Sequence, residues 1–312
     1  MPNSPTQWGA EALWEQLEPL LPGLSVEVLA RAESTNTLLL DRARAWAGAP
    51  DGAVTRPGEL DSRRGDLERP TPLGRRGADI QPCLLVAEQQ TRGRGRLGRD
   101  WVASAGASLT FSLALPLAPA DWSGLSLAVG WALAEALDPL PPGGGASPRL
   151  MLKWPNDLWL AELPAQPGSP GGSLGRKLGG ILIETVNVGQ RRLCVVGVGL
   201  NVRPQAVPEL PHGYACLAEL QPAASAPAAL AAVALPLVRA LKRFETEGFA
   251  PLQAAYARRD LLLGQPVTTT LAAVPEGVAE GVDERGALRV RCGDVHSLVS
   301  GEVSVRLQGG AA

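Results

Sequence analysis

An α+β fold is what the sequence predicts: a mixed β-sheet flanked by helices, followed by a small all-β barrel. Three observations carry this. Up to about residue 262, runs with helical spacing alternate with runs of strand-like alternation. From Gly264 onward the helical spacing vanishes and short alternating runs are separated by turn residues. Between the periodic runs lie stretches rich in Pro and Gly, which continue neither kind of element. At 312 residues and 45% hydrophobic content the chain can bury one large core and a smaller second one, so the expected domains are 1–262 and 263–312.

The elements follow in order. Residues 8–21 carry Trp8, Leu13, Leu17, Leu20 and Leu21 at helical spacing and meet Pro22-Gly23. Residues 25–32 alternate as a strand, and Ser34-Thr35-Asn36 opens a helix over 36–46 that Gly48 closes. Residues 49–82 lack apolar periodicity and read as a disordered surface insertion. Strands are expected at 83–87 and 107–113, a helix at 125–137, and a break at 139–148. Further strands fall at 150–154, 157–161, 178–188 and 191–200, with a second flexible insertion over 162–175. Alanine-rich helices are expected at 227–247 and 249–259. Turn signals at Asp283-Glu284-Arg285-Gly286 and Cys292-Gly293-Asp294 divide the barrel strands.

Composition excludes several classes of function. Four cysteines (Cys83, Cys194, Cys216, Cys292) include no C-x-x-C pair and there are two histidines (His212, His296), so no zinc site, disulfide framework or other metal-ligating set is expected. Neither histidine lies beside a nucleophile motif, which argues against a Ser-His-Asp or Cys-His hydrolase. No apolar run is long enough for a membrane span and residues 1–7 lack the pattern of a signal peptide, so the expected location is cytoplasmic, with no membrane partner.

The run from Gln90 to Trp101 stands apart. It places four arginines and three glycines in the eight positions 92–99 of a chain whose net charge is -2. Glycines let backbone N–H groups approach a ligand, and guanidinium forks match carboxylate and phosphate oxygens, so the run reads as a mobile anion-binding loop. A plain basic surface loop and an RNA-binding Arg/Gly tract are the alternatives. Strand-like runs on both sides tie this loop to a sheet, which an extended low-complexity tract would not be.

Five strings in one order then resemble the biotin protein ligase family: Ser34-Thr35-Asn36; 93–101, Gly-Arg-Gly-Arg-Leu-Gly-Arg-Asp-Trp; 153–157, Lys-Trp-Pro-Asn-Asp; 177–184, Lys-Leu-Gly-Gly-Ile-Leu-Ile-Glu; and 197–202, Gly-Val-Gly-Leu-Asn-Val. The resemblance implies a class II synthetase-like catalytic domain with an SH3-like C-terminal barrel. It also implies ATP and biotin as substrates, Mg²⁺ with the nucleotide, and the biotin carboxyl carrier protein of acetyl-CoA carboxylase as partner. Biotin's carboxylate joins the α-phosphate of ATP, pyrophosphate leaves, and the acyl group passes to a carrier lysine. Both partners of the first step are anions, so positioned cations are required.

The same resemblance assigns residues. Lys177 matches the active-site lysine between carboxylate and phosphate, with Arg96 and Asp157 as the other catalytic positions. Ser34, Thr35, Asn36 and Gln90 match the residues that bind the ureido ring, which needs both donors and acceptors when buried. Arg94, Gly95 and Arg96 match the loop that folds over biotin. Arg99, Trp101, Asn156, Asn201 and Arg306 fall on the nucleotide side. Plainer readings stand beside these: an N-cap for Ser34-Thr35-Asn36, a core role for Trp101, turn chemistry for Asn156 and Asp157, and an exposed strand end for Lys177.

Family members that repress transcription carry a winged-helix domain ahead of the catalytic body. About thirty residues precede Ser34 here, so DNA binding is not expected. A lipoate or octanoate ligase or transferase of the same superfamily is the nearest alternative activity, and a non-catalytic nucleic-acid module using the Arg/Gly loop is the alternative of another class. The barrel edge and the sheet edge each offer a surface for a homodimer.

Overall fold

The computed structural model describes residues 6–47, 80–141, 147–162, 174–207, 213–299 and 305–307. Helix α1 (Ala10–Leu17) buries Leu13 and Leu17. It stops short of the expected residue 21 because Pro19 cannot donate the next helical hydrogen bond, and residues 18–20 turn before Leu21 and Leu24 re-enter the core. Strands β1 (Ser25–Ala32) and β2 (Cys83–Gln90) pair in parallel, which requires a crossover, and α2 (Thr35–Ala47) lies on it. Of the insertion expected over 49–82, residues 49–79 lie outside the described residues. Residues 80–82 are packed instead of disordered: Ser25 N donates to Pro82 O at 3.0 Å and Ile80 rests on the core. Gly48, and residues 163–173 of the second insertion, also fall outside the described residues.

The short strands β3 (Gly93–Arg94) and β4 (Asp100–Trp101) pair as a flap. Then come β5 (Ser108–Pro116), α3 (Leu125–Leu137), the hairpin β6 (Leu150–Lys153) and β7 (Asp157–Leu160), and the long hairpin β8 (Arg176–Val188) and β9 (Arg191–Asn201). The seven-stranded sheet runs β1-β2-β5-β9-β8-β7-β6, and its β1–β2 pair is parallel while the rest are antiparallel, so it is mixed as expected.

Strand alternation divides the sheet's two faces. On β5, Leu109, Phe111, Leu113 and Leu115 join the core formed with α1, α3 and the next helix, α4 (Ala226–Glu247). Ser108, Thr110, Ser112 and Ala114 point to the α2 side, where a smaller cluster holds Leu39, Leu40, Ala43, Leu85 and Val195. Ser225 caps α4, its Oγ accepting from Ala228 N at 3.3 Å with Pro227 in the first turn, and Gly248 ends it. The helix expected at 249–259 shrinks to α5 (Gln253–Ala257) after a 3₁₀ turn over Ala250–Leu252 that contains Pro251. Residues 259–261 leave the helix to cover edge strand β6: Leu152 N donates to Arg259 O at 2.7 Å and Leu261 N to Leu152 O at 2.9 Å. The fully buried Arg259 side chain is neutralised there by Glu135 at 3.0 Å and Asp138 at 3.3 Å.

The C-terminal unit is an antiparallel sheet of β10 (Pro266–Thr269), β11 (Glu276–Val282), β12 (Leu288–Cys292), β13 (Asp294–Leu298) and β14 (Val305–Leu307), in the order β13-β12-β11-β10-β14. It curls around Val267, Ala279, Leu288, Val290, Leu298 and Val305, consistent with the SH3-like barrel. It grips the turn between β6 and β7. Lys153 Nζ donates to Val305 O at 2.7 Å and Trp154 Nε1 to Gly286 O at 3.0 Å. Among the described residues no helix is long and apolar enough to cross a membrane. Cys83, Cys194 and Cys216 are buried, and burial pushes the Cys194 thiol up to about 12.

Candidate active site

Register builds the floor of the site. Across β2, β5, β9, β8 and β7 a transverse row reads Ala87, Thr110, Gly199, Gly180, Asp157, and the neighbouring row reads Leu85, Ser112, Gly197, Leu182. The glycines are required by close approach: a Cβ on Gly197 would collide with the Asn36 amide, and one on Gly199 would come 2.5 Å from Trp101 Cε2. Above this floor lies a cavity of about 520 Å³.

At one end is a slot of neutral polar groups. Ser34 caps α2, its carbonyl accepting from Leu38 N at 3.0 Å and its Oγ from Thr37 N at 3.4 Å. Thr35 N donates to Gln90 Oε1 at 2.7 Å. Ser112 Oγ lies 2.6 Å from both Thr35 Oγ1 and Asn36 Oδ1. With one proton it serves one of them at a time, while the Thr35 hydroxyl also reaches Gln90 Oε1 at 3.1 Å. Asn36 Nδ2 donates to Leu182 O at 3.1 Å and to Glu184 Oε2 at 3.0 Å, which commits both its amide hydrogens within the protein.

The flap crosses this slot. Arg94 reaches Glu184 Oε1 at 3.3 Å and Thr37 Oγ1 at 3.3 Å, while Arg96 Nη1 donates to Asn156 Oδ1 at 3.4 Å. The run expected as an anion-binding loop forms a paired strand turn, with Arg94 tied toward the slot and Arg96 toward Asn156. Trp101 stands on Gly199 as part of the cavity wall, and its indole N–H is buried with no partner among the described residues. Such a donor costs on the order of 1–3 kcal/mol until something accepts from it.

The other end is cationic. Lys177 was expected just outside a strand, but it lies inside β8, and strict alternation with Gly180 would turn it to the opposite face. A β-bulge corrects this: Leu158 pairs with Gly179 and Trp159 with Lys177, leaving Leu178 as the extra residue that enters the helix-side core. Lys177 Nζ therefore meets Asp157 Oδ1 at 2.8 Å over Gly180. Asn156 Nδ2 fixes the β6–β7 turn by donating to Ile181 O at 2.7 Å. Asn201 Nδ2 donates to Ala215 O at 3.0 Å, and Ala215 N to Lys177 O at 2.9 Å, so Asn201 helps to clamp the start of β8. Arg99 from the flap and Arg306 from β14 complete this end.

All fourteen residues singled out from sequence line this one cavity: Ser34, Thr35, Asn36, Gln90, Arg94, Gly95, Arg96, Arg99, Trp101, Asn156, Asp157, Lys177, Asn201 and Arg306. Five of its described lining residues are cations and two, Asp100 and Asp157, are carboxylates, so the site carries excess positive charge. Two groups at or beside this end are shifted, chiefly by burial. Burial lowers the Arg96 guanidinium below its ordinary value, with Asp157 opposing and Arg99 adding to the fall. Burial likewise lowers Lys153, which is 8% exposed, with Asp157 opposing and Lys177, Arg99 and Arg306 contributing to the fall.

Ser112 escaped the sequence reading, and Lys153, Glu184, Gly197 and Gly199 stand in its motif strings without an assigned role. Ser112 had a legible signal, since Ser108, Thr110 and Ser112 alternate with large apolar residues and so share one face. Glu184 is a half-buried carboxylate directly after the apolar run Ile181-Leu182-Ile183, a place where an acid calls for a partner.

Comparison with known proteins gives a consistent picture. Residues 80–201 match the Biotin/lipoate A/B protein ligase family and residues 262–306 the Biotin protein ligase C terminal domain. The bifunctional ligase/repressor BirA of Escherichia coli is 32% identical over 299 residues, covering 94% of this chain and 77% of its own. The biotin–[acetyl-CoA-carboxylase] ligase of Mycobacterium tuberculosis is 34% identical over 240 residues, covering 74% and 82% respectively. Among solved structures, a biotin protein ligase from Aquifex aeolicus in complex with biotin and ATP superposes with a TM-score of 0.62 at 24% identity, over 91% of this chain and 99% of that one, which establishes the shared fold.

Proposed function

Because the chain belongs to the biotin protein ligase family, we propose that its cavity condenses biotin with ATP and passes the biotinyl group to a lysine of the biotin carboxyl carrier protein of acetyl-CoA carboxylase. One observation supports this above the others: a neutral donor–acceptor slot and a cationic end meet in a single cavity at Lys177. A ureido ring with an apolar tail suits the first, and a carboxylate meeting a triphosphate suits the second.

In the first half-reaction a biotin carboxylate oxygen attacks the α-phosphorus, the bond from that phosphorus to the bridging oxygen breaks, and pyrophosphate leaves. Lys177 and Arg96 stand where the two anions must approach, and they offset their repulsion and stabilise charge on the phosphoryl oxygens. Asp157 holds Lys177 at 2.8 Å and so aims it. In the second half-reaction a neutral carrier amine attacks the acyl carbon, the carbon–oxygen bond to AMP breaks, and the amine loses a proton. Thr35, Gln90 and Ser112 form the polar wall for the ring, and Asn36, with both amide hydrogens already used, keeps its carbonyl oxygen toward that wall. Trp101, Arg99, Asn156, Asn201 and Arg306 surround the nucleotide.

Mg²⁺ enters as the counter-ion of ATP's phosphates. No group of three or more potential metal-ligating side chains occurs among the described residues, and Asp157 is engaged by Lys177. That donor set suits an ion held mainly by phosphate oxygens and water, which spreads the phosphate charge. Arg94, Arg96 and Arg99 of the flap line the cavity, which favours a small-molecule anion over a nucleic-acid backbone and supports the reading without DNA binding. The side of β8 beyond Gly180 is unpaired by any described strand and offers backbone to a carrier or to a second copy in a homodimer. The reaction belongs in the cytoplasm, where ATP and carrier meet.

Pyrophosphate release measured with biotin, lipoate or octanoate tests the proposal. Release that depends on biotin alone is expected. Release with lipoate or octanoate in its place would move the chain to the sibling activity, and none with any acid would remove the chemistry altogether.

A further inference from the structure

The flap is tied down at two ends that differ in kind. At the cationic end, Arg96 rests 3.4 Å from Asn156 Oδ1 beside Lys177 and Asp157, so its surroundings change as phosphate charge arrives and leaves. At the slot end, Arg94 is held by Glu184 Oε1 at 3.3 Å, away from that chemistry. The second oxygen of the same carboxylate accepts from Asn36 Nδ2 at 3.0 Å.

We infer that Glu184 is a positioning residue that locks the flap over the slot, one carboxylate oxygen holding Arg94 and the other holding the Asn36 amide. The inference rests on the ligase reading and deepens it. Between the two half-reactions the enzyme holds a mixed anhydride, which water splits into biotin and AMP. A lid fastened through substrate phosphates alone would loosen once pyrophosphate departs. The Arg94–Glu184 tie touches no phosphate, so it persists through both steps and keeps water out and the intermediate in. Coupling to Asn36 adds a second consequence, since the same carboxylate shapes the ring slot and closes it.

The experiment follows the fate of α-labelled ATP, separating intermediate released to solvent from biotin transferred to carrier. In both Glu184→Gln and Arg94→Ala the escaping share of the intermediate formed should rise about tenfold, whatever the rate at which each variant forms it, and the double variant should escape no more than either single. The biotin KM should rise in both, through Asn36 in Glu184→Gln and through the flap in Arg94→Ala, so escape is compared at saturating biotin. The ion pair is partly open to solvent, with side chains 47% and 24% exposed. Raising salt from about 0.05 to about 0.5 M should therefore increase escape in the wild type and leave Glu184→Gln unchanged. Wild-type retention in Arg94→Ala, or multiplying effects in the double variant, would overturn the lock. Arg94 is too exposed for its truncation to threaten the fold, so that result decides even if Glu184→Gln proves unstable. A wild type that releases no pyrophosphate with biotin overturns the ligase reading and the lock together, whereas an active wild type with a retentive Arg94→Ala overturns the lock alone.

Discussion

The two ends of the cavity solve opposite problems. In the slot, every polar group described by a hydrogen bond already has a protein partner: Thr35 with Gln90, Ser112 between Thr35 and Asn36, Asn36 with Leu182 and Glu184. At the cationic end the protein leaves charge under-compensated, and burial together with neighbouring cations lowers the pKa of Lys153 and Arg96. In the proposed reading a neutral ring meets a satisfied frame, while two anions meet one that is electrostatically incomplete without them.

The largest break in this contrast should come from Lys177→Ala, which removes the group at the junction. Biotin-dependent pyrophosphate release should fall by roughly 10³-fold, while circular dichroism and melting stay near wild type. Gly197→Ala attacks the slot alone. The added methyl must push the Asn36 amide aside, at about 1–3 kcal/mol, so the biotin KM should rise roughly 10–100-fold with the KM for MgATP unchanged. Arg306→Ala attacks the cationic end alone, and there the KM for MgATP should rise about tenfold while that for biotin holds. If either variant moved both constants equally, the two ends would not be separable units.

The smallest effect sharpens the comparison by lying outside it. Asp260 sits at the joint between body and barrel, with Oδ2 buried and unpartnered among the described residues, and burial raises it from 3.8 to about 6. Between about pH 4 and pH 6 the folded protein keeps this proton and the unfolded chain does not. Its contribution is therefore present at the acid end and lost as pH rises through 6, by at most about 3 kcal/mol. Asp260→Asn should flatten the melting temperature across that window and leave both KM values alone.

Much of this was legible in the residues, for reasons that differ by region. Period-two alternation is a local property, so β1, β5, β8 and β9 could be placed to within a few residues, and Ser34 announced its cap. The motif strings converged on one cavity because strand ends and tight turns carry little else. What stayed hidden depends on partners far away in the chain. Glu184 gains its meaning from Arg94 and Asn36, each more than eighty residues distant, and no spacing rule connects them. The short α5 was also hidden, since its alanines permit a longer helix and it is the burial of Arg259 against Glu135 and Asp138 that ends it. Residues 80–82 looked like part of a loose insertion because Pro and Gly surround them, yet the carbonyl of Pro82 belongs to the start of the sheet.

Leu178, the unpaired residue of the bulge, makes the chemistry a matter of parity. Removing or adding one residue between Lys177 and Gly180 would leave the hydrophobic count nearly the same, yet the ammonium would swing to the far side of the sheet among leucines. The segment is thus constrained in length as well as in composition: Leu178 is fully buried, a Cβ on Gly179 would meet Leu200 and the Gly199 carbonyl, and a single-codon indel would drive an unpaired ammonium into the core and cost fold and reaction together.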